Sequence, residues 1–353
     1  MIVVMKKSAT DEQLNEVLSQ IKIMGFKTHV SRGVERVTIG VIGHDRNVSK
    51  EKVQLLPGVE QVIPILKPFK LVSREFQPNQ TLVPVNGYEI GKGFVVIAGP
   101  CSVESRSQIL ETAHFLKENG ANILRGGAFK PRTSPYSFQG LGLKALEYMA
   151  EAKVQVGLPL ITEVISAQDV QMVADYVDIL QIGARNMQNF TLLRAVGKVR
   201  KPILLKRGMM STIEEFLLAA EYIMNEGNSE VILAERGIRT FETYTRNTLD
   251  LGAVPLIKEL SHLPIIVDPS HATGKRSLVA PLAKAALAVG ADGVMVEVHP
   301  DPKRALSDGP QSLTFKDFEA LMHDIREIAR ALHKDDFFRE IQKTAVPKIS
   351  AAN

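Results

Sequence analysis

From about residue 88 to residue 335 the sequence alternates short apolar runs with amphipathic helical stretches, and no other feature constrains the fold as much. The runs are Phe94–Ala98, Ala121–Arg125, Pro159–Glu163, Asp178–Ile182, Pro202–Lys206, Val231–Glu235, Pro264–Asp268 and Gly293–Val298. Between them lie helical patterns such as Gln108–Asn119, Lys144–Val156, Ile213–Glu226 and Val279–Val289. Short apolar strands in strict alternation with helices, over about 250 residues, predict a (β/α)8 (TIM) barrel. A doubly wound open sheet is the alternative, but the glycine-rich first turn that seats a dinucleotide in such sheets is missing.

Residues 1–70 follow a different plan. Met1–Met5 reads as a strand and Asp11–Met24 as a helix with Leu14, Val17, Leu18 and Ile21 on one face, Thr10 or Asp11 at its N-cap and Gly25 at its C-cap. Lys27–Ser31 and Val37–Val41 read as strands, Ser49–Leu56 as a polar helix, and Val59–Ile65 as a last strand closing with Pro64. The order β-α-β-β-α-β predicts a ferredoxin-like domain, a plan used by many small regulatory modules. Residues 71–87, with Pro78, Pro84 and Gly87, read as a linker carrying a short strand or hairpin, and residues 336–353 as a C-terminal tail.

Composition narrows the class of protein. The net charge of +4 comes from scattered basic residues, with no stripe or arm, so anionic small molecules fit the excess better than nucleic acid does. Apolar runs such as Phe94–Ala98 are far too short to span a bilayer, and no opening stretch has the pattern of a signal peptide. The single cysteine, Cys101, cannot form an intrachain disulfide, which fits a reducing compartment. A cytoplasmic enzyme without nucleic-acid or membrane partners is the expectation.

Active sites of such barrels lie at the C-terminal ends of the strands. Reading those ends in turn gives Arg125 and the nearby Lys130, Arg132, Thr133 and Ser134, then Glu163, Ala184 with Arg185, Lys206, Arg236 and Asp268. Six cations from four strand ends would converge on one face and repel one another unless anions lay between them. Arginine in particular suits bidentate contacts to phosphate and carboxylate. Each cation alone could be a solvated loop charge; their clustering points to an anion site. Glu163 could hold or activate a water, or serve as a structural ion-pair partner. His299 and Asp301 read as structural, and Met187, Met209 and Met210 as packing residues.

Cys101, His271, Glu297 and Asp308 follow the first, seventh and eighth barrel strands and the loop beyond. In a closed barrel the eighth strand adjoins the first, so these four can meet across the seam. A thiolate, an imidazole and two carboxylates suit a borderline divalent metal such as Mn, Fe, Co or Zn. Singly, Cys101 could be an inert buried thiol and His271 a satisfied polar residue.

The segment Ile97-Ala98-Gly99-Pro100-Cys101-Ser102-Val103-Glu104-Ser105 resembles the first-strand motif of the phosphoenolpyruvate-dependent 3-deoxy-ulosonate synthases. The segment Leu124-Arg125-Gly126-Gly127-Ala128-Phe129-Lys130-Pro131-Arg132-Thr133-Ser134-Pro135 resembles the second-strand motif of the heptulosonate 7-phosphate synthases. Similarity continues through Gln181–Phe190, Leu204–Gly208, Glu235–Glu242, Asp268–His271 and Glu297–Leu313, and the first 70 residues resemble the regulatory module of the type I beta branch. The resemblance implies condensation of phosphoenolpyruvate with erythrose 4-phosphate at the entry to the shikimate pathway of aromatic amino acid biosynthesis. It implies one divalent metal held by Cys101, His271, Glu297 and Asp308, and phosphoenolpyruvate held by Arg125, Lys130, Arg185, Lys206 and Arg236 with the backbone around Ala184. It further implies a second phosphate at Arg132, Thr133 and Ser134, sugar hydroxyls near Asp268, and catalytic roles for Lys130, Glu163, His271 and Asp308. A homotetramer and feedback by Tyr or Phe are implied as well. Ala234 and Ala272 depart from the common pattern at positions where no chemistry is expected.

Two rival readings remain. The sister enzyme that condenses phosphoenolpyruvate with arabinose 5-phosphate, making 3-deoxy-manno-octulosonate 8-phosphate, shares the barrel. Its second-strand motif carries Lys-Ala-Asn-Arg-Ser-Ser where this chain has Lys130-Pro131-Arg132-Thr133-Ser134. A non-catalytic amino-acid-sensing partner would have no reason to keep the full set of cations and ligands.

Overall fold

The structure, a computed structural model, describes residues 1–33, 36–42, 50–63, 68–132 and 134–332. The predicted start of the polar helix at Ser49, the strand end at Pro64 and Ile65, Thr133 and the tail at 336–353 lie outside those residues. Two compact units divide the chain, one of residues 1–80 with 259–262 and one of the remainder.

The first unit contains β1 (Ile2–Met5), α1 (Asp11–Ile23), β2 (Lys27–Arg32), β3 (Val37–Ile42), α2 (Lys50–Gln54) and β4 (Val59–Ile63). The strands form an antiparallel sheet in the order β2-β3-β1-β4, the ferredoxin-like arrangement. Helix α1 starts at a capping box: Thr10 Oγ1 accepts from the Gln13 amide, and Gln13 Oε1 accepts from the Thr10 amide. Its buried side chains Leu14, Val17 and Ile21 pack with Val3, Met5, Ile39 and Val41, while Leu18 is only partly buried at the margin. Within the predicted linker, Leu71, Val72 and Phe76 are buried. The Phe76 ring lies where a side chain at Gly40 would sit, and its carbonyl accepts a 2.9 Å hydrogen bond from Thr38 Oγ1. Residues 71–80 therefore complete the first unit's packing.

The second unit opens with a hairpin of β5 (Val83–Val85) and β6 (Tyr88–Ile90). Asn86 and Gly87 both have positive φ, 38° and 89°, the requirement of a tight two-residue hairpin turn. Eight parallel strands then close a barrel: β7 (Val95–Gly99), β8 (Ile123–Arg125), β9 (Leu160–Glu163), β10 (Ile179–Ile182), β11 (Ile203–Lys206), β12 (Val231–Glu235), β13 (Ile265–Val267) and β14 (Gly293–Glu297). The helices outside it are α3 (Arg106–Glu118), α4 (Leu143–Val156), α5 (Val170–Tyr176), α6 (Phe190–Gly197), α7 (Ile213–Asn225), α8 (Ala253–Leu260), α9 (Pro269–Thr273), α10 (Arg276–Ala288) and α11 (Phe315–Ala331). Strands β14 and β7 pair over five residues, from Gly293 with Val95 to Glu297 with Gly99, so the seam that joins the last strand to the first is real.

Inward-pointing Ile97, Ile123, Ile161, Ile179, Leu204, Ile232, Ile266 and Met295 fill the barrel together with Val83, Val85 and Ile90 of the hairpin. Asn86 Nδ2 donates to Asp178, just before β10, so the hairpin plugs the N-terminal end of the barrel. Truncating one of these side chains to alanine would cost about 2–5 kcal/mol, because the surrounding layers relax only partly. The barrel thus has one closed end and one end free for chemistry.

Candidate active site at the open mouth of the barrel

The C-terminal ends of the strands surround a cavity of about 490 Å³. Its lining includes Cys101, Arg125, Lys130, Arg132, Ser134, Glu163, Ala184, Arg185, Lys206, Arg236, His271 and Asp308. Asp268 and Glu297 do not line it; both are fully buried beneath it.

Strand exits place these groups. Gly99, at φ +151°, ends β7 where any side chain would lie 2.0 Å from the Arg125 carbonyl oxygen, and this close approach swings Cys101 over the barrel axis. Asp268 caps α9 by accepting from the His271 amide at 3.0 Å, and the one short turn carries the imidazole back over the mouth. Asp308 sits in a loop at φ +47°, a left-handed conformation for a residue with a side chain.

Three of the six predicted cations already have built-in counter-charges. Arg125 Nη1 lies 2.7 Å from Glu297 Oε1, and Lys206 Nζ lies 2.5 Å from Asp268 Oδ2. Lys130 Nζ donates to Cys101 Sγ at 2.6 Å and lies 3.4 Å from Asp308 Oδ2. Arg236 donates only to the carbonyls of Gly237 and His271, and Arg185 makes no hydrogen bond or ion pair among the described residues. Arg132 Nη1 is buried without a hydrogen-bond partner. All six predicted cations thus line the cavity; three are neutralised from within, and Arg132, Arg185 and Arg236 have no acidic partner among the described residues.

Cys101 Sγ, a ring nitrogen of His271 and carboxylate oxygens of Glu297 and Asp308 lie within 4.8 Å of one another. His271 Nε2 is 3.2 Å from Glu297 Oε1, and the Cys101 thiol donates to Asp308 at 3.1 Å. Burial and the adjacent Glu297 push the Cys101 thiol up to about 12 despite Lys130. Burial opposes the charge on Glu297, but His271 and Arg125 hold its carboxyl well below the usual range. Burial and Glu297 likewise oppose Asp308, yet Lys130 and His271 bring it to about 2. Burial disfavours the Lys130 ammonium, and Cys101, Glu297 and Asp308 more than restore it. Burial lowers Lys206, with Asp268 opposing that shift.

Glu163 accepts from Gln181 Nε2 at 3.3 Å, and its carboxylate lies against Gly183, where a β-carbon would be 2.0 Å from Oε1. His299 and Asp301 are engaged with Glu104 and with each other, as a structural reading expects. Met187 is buried and its sulfur accepts from the Gly208 amide, but Met209 lines the cavity and Met210 is 79% exposed, so neither of the latter pair is an ordinary packing residue. The sequence reading missed Arg239, Arg246 and Asn247, which also line the cavity. They come from the irregular 237–248 loop, where the Glu235–Glu242 similarity reaches Arg239 and no periodicity marks Arg246 or Asn247.

Comparison with known proteins gives two family matches. Residues 79–334 match the model described as the DAHP synthetase I family, and residues 1–67 match the DAHP synthase ferredoxin-like domain. A phospho-2-dehydro-3-deoxyheptonate aldolase from Thermotoga maritima is 57% identical over 333 residues, covering 94% of this chain and 98% of that protein. A 2-dehydro-3-deoxyphosphooctonate aldolase from Rhodopseudomonas palustris is 37% identical over 252 residues, covering 66% of this chain and 86% of that one. Among solved structures, a Thermotoga maritima phospho-2-dehydro-3-deoxyheptonate aldolase has a TM-score of 0.75 at 56% identity, covering 94% of this chain and 97% of its own. A truncated form of the Thermotoga maritima synthase covers 75% of this chain with a TM-score of 0.71.

Proposed function

The chain belongs to the DAHP synthetase I family and has that family's synthase activity, and we propose how the mouth of the barrel carries it out. The substrates are phosphoenolpyruvate and erythrose 4-phosphate, and the product is 3-deoxy-D-arabino-heptulosonate 7-phosphate. The observation that carries the reading is the cavity's charge: eight Lys and Arg residues line it against two carboxylates, Glu163 and Asp308. Two phosphates and a carboxylate are the complement of such a lining.

Arg185, Lys206 and Arg236, with Arg125 and Lys130 beneath, bind and orient the phosphoenolpyruvate anion. Arg132, with its free buried Nη1, and Ser134 receive the second phosphate, and the Thr133 hydroxyl that the family resemblance adds to them lies outside the described residues. Fixing both ends aligns the nucleophilic carbon of phosphoenolpyruvate with the aldehyde, which is the entropic part of the rate. Lys130, kept protonated by its neighbours, is the donor for the developing alkoxide. Glu163 orients the water that adds as phosphate leaves.

The donor set of Cys101, His271, Glu297 and Asp308 fits one divalent ion of the Mn, Fe, Co or Zn type, because its soft sulfur and hard oxygens suit a borderline cation. When bound, such an ion would act as a Lewis acid toward a substrate oxygen. Asp308, 3.4 Å from Lys130, and His271, in the same ligand cluster, take part in the proposed proton transfer. Asp268 holds His271 and Lys206 and does not line the cavity, so any contact to sugar hydroxyls is indirect.

Turnover with erythrose 4-phosphate against arabinose 5-phosphate tests the substrate assignment. Comparable kcat/KM for the two would favour the octulosonate reading, and no turnover with either would favour a non-catalytic sensor. Among the described residues none of 1–80 lines the cavity, which supports a regulatory role for the ferredoxin-like unit. We place the enzyme in the cytoplasm as a homotetramer; sedimentation of the full chain tests the assembly.

A further inference from the structure

Of the four grouped ligating side chains, Cys101, His271 and Glu297 stand on or directly after a barrel strand or its capping turn, whereas Asp308 hangs in the irregular segment that follows β14. Something must hold that segment, because a left-handed Asp308 has no regular backbone ladder to fix it. Arg246 reaches the Asp308 carboxylate at 3.2 Å and Arg276 the Ser312 carbonyl at 2.6 Å, and the contacts on the 302–307 side come from the loop after β7. Ser102 Oγ and Ser307 Oγ lie 2.5 Å apart, and Glu104 Oε1 accepts the Leu306 amide at 2.7 Å. The other oxygen, Oε2, lies 3.4 Å from His299 Nε2. His299 Nδ1 faces the Asp301 amide at 3.0 Å, and an amide can only donate, so Nδ1 is the acceptor and Nε2 carries the proton toward Glu104. One carboxylate therefore ties both ends of the 299–306 excursion. Glu104 is itself placed by its own amide, which donates to Gln108 Oε1, and the Gln108 side chain returns a bond to the Ser102 carbonyl.

We propose that Glu104 is a positioning residue, a latch whose carboxylate bridges the Leu306 amide and the His299 imidazole and so keeps Asp308 beside Cys101. It does not touch the cavity, and its effect on the reaction runs through Asp308 alone. The inference rests on the metal reading above only in the metal arm of its test; the loop arm is independent.

The test uses the full chain and the variants Glu104→Ala and Glu104→Gln. Glutamine keeps an oxygen for Leu306 but turns an amide donor toward the protonated Nε2 of His299, so it should lie between the parent and Ala. Hydrogen exchange in peptides covering residues 302–309 should speed up in the order parent, Gln, Ala. Titration with Co(II), followed by visible absorption, should show a Kd raised about 10- to 100-fold in Glu104→Ala, with an altered band pattern as the Asp308 oxygen is lost. A merely structural role would lower Tm without changing the Co(II) spectrum of the folded protein. Unchanged exchange in both variants overturns the latch. Faster exchange with parental Co(II) affinity and spectrum overturns its positioning of Asp308. A parent that binds no divalent ion overturns the metal reading instead, and the exchange result still decides the latch.

Discussion

The carboxylate of Asp268 accepts a 2.7 Å hydrogen bond from Nδ1 of His271. Burial would raise this carboxyl, but His271 and Lys206 hold it far below the usual range, so it stays ionised and can only accept. That fixes a proton on Nδ1 and turns Nε2 toward Glu297 and the ligand cluster. The same carboxylate binds Lys206, so a single buried charge aligns one proposed metal ligand and one proposed phosphate ligand.

The first prediction follows from that alignment. A chelator should abolish turnover, and Mn or another divalent ion should restore it. Cys101→Ala should lower both metal content and rate. Asp268→Asn should weaken metal binding by about 10- to 100-fold, since it removes the charge that orients His271. Full activity in metal-free protein would sink the metal reading.

A second prediction concerns the rim. Arg132 reaches the cavity with a buried, unpartnered Nη1. Removing a charge-assisted phosphate contact costs on the order of 1.5–3 kcal/mol. Arg132→Ala should thus lower kcat/KM for erythrose 4-phosphate by roughly ten- to a hundredfold, as 1.4 kcal/mol is a factor of ten. KM for phosphoenolpyruvate should change much less. An equal loss for both substrates would show that Arg132 does not serve the second phosphate.

Much of the barrel was legible because parallel strands buried on both faces read as continuous apolar runs. Each of the eight was placed to within one or two residues, the shifts arising at strand starts such as Phe94 and Ala121 that flank the paired residues. The side chains at the strand ends were legible for the same reason, since the fold alone puts them on one face. What the sequence could not display was pairing across the barrel. Glu297 under Arg125 is 172 residues away, and Asp268 under Lys206 is 62 away. Such pairs decide which cations are neutralised, and no local pattern encodes them. Arg239 and Arg246 escaped because their loop has no period to read. Phe76 escaped because one aromatic among polar residues resembles a linker until Gly40 is seen to leave room for its ring.

Gly183 gives a third prediction. Its φ is an ordinary −69°, so alanine there is strained only by what its β-carbon would meet, the Glu163 carboxylate at 2.0 Å. The end of a glutamate side chain can move away at little cost, so Tm should change little. The carboxylate would nevertheless leave its place beside Gln181. Gly183→Ala should therefore lower kcat by more than tenfold if Glu163 orients the water, an effect of roughly 1.4 kcal/mol or more. Parental kcat would return Glu163 to a structural role.

Stability should depend on pH through His262. This ring is buried, donates from Nε2 to the Leu71 carbonyl at 2.7 Å, and has its pKa lowered to about 4, chiefly by burial. Below the ordinary value of about 6.5 the unfolded chain takes up a proton that the folded protein resists. Its contribution is therefore complete above about pH 6.5 and is lost as pH falls toward 4, up to about 3 kcal/mol. Urea unfolding at pH 7 and pH 5 should show the loss, and His262→Gln should flatten the slope. Identical slopes in parent and variant would exclude this origin.

The last prediction concerns where the chain can be cut. The burial of Leu71, Val72 and Phe76 means that a chain beginning near Leu71 would carry an orphaned apolar strip. The hairpin from Val83 must stay, because its side chains plug the barrel interior. A start at Thr81 removes the strip and keeps the plug, although His262 then loses its Leu71 partner. No proposed ligand or phosphate contact precedes Cys101, so the shortened enzyme should fold and turn over. A truncated form of the Thermotoga maritima synthase, matched over 75% of this chain, is itself a solved structure. The effector must bind one arrangement of the ferredoxin-like unit more tightly than another to shift activity. The shortened enzyme should accordingly lose any inhibition by Tyr or Phe. Inhibition that survives truncation would place the effector on the barrel. A full-length enzyme indifferent to every aromatic amino acid would leave the first unit an assembly surface.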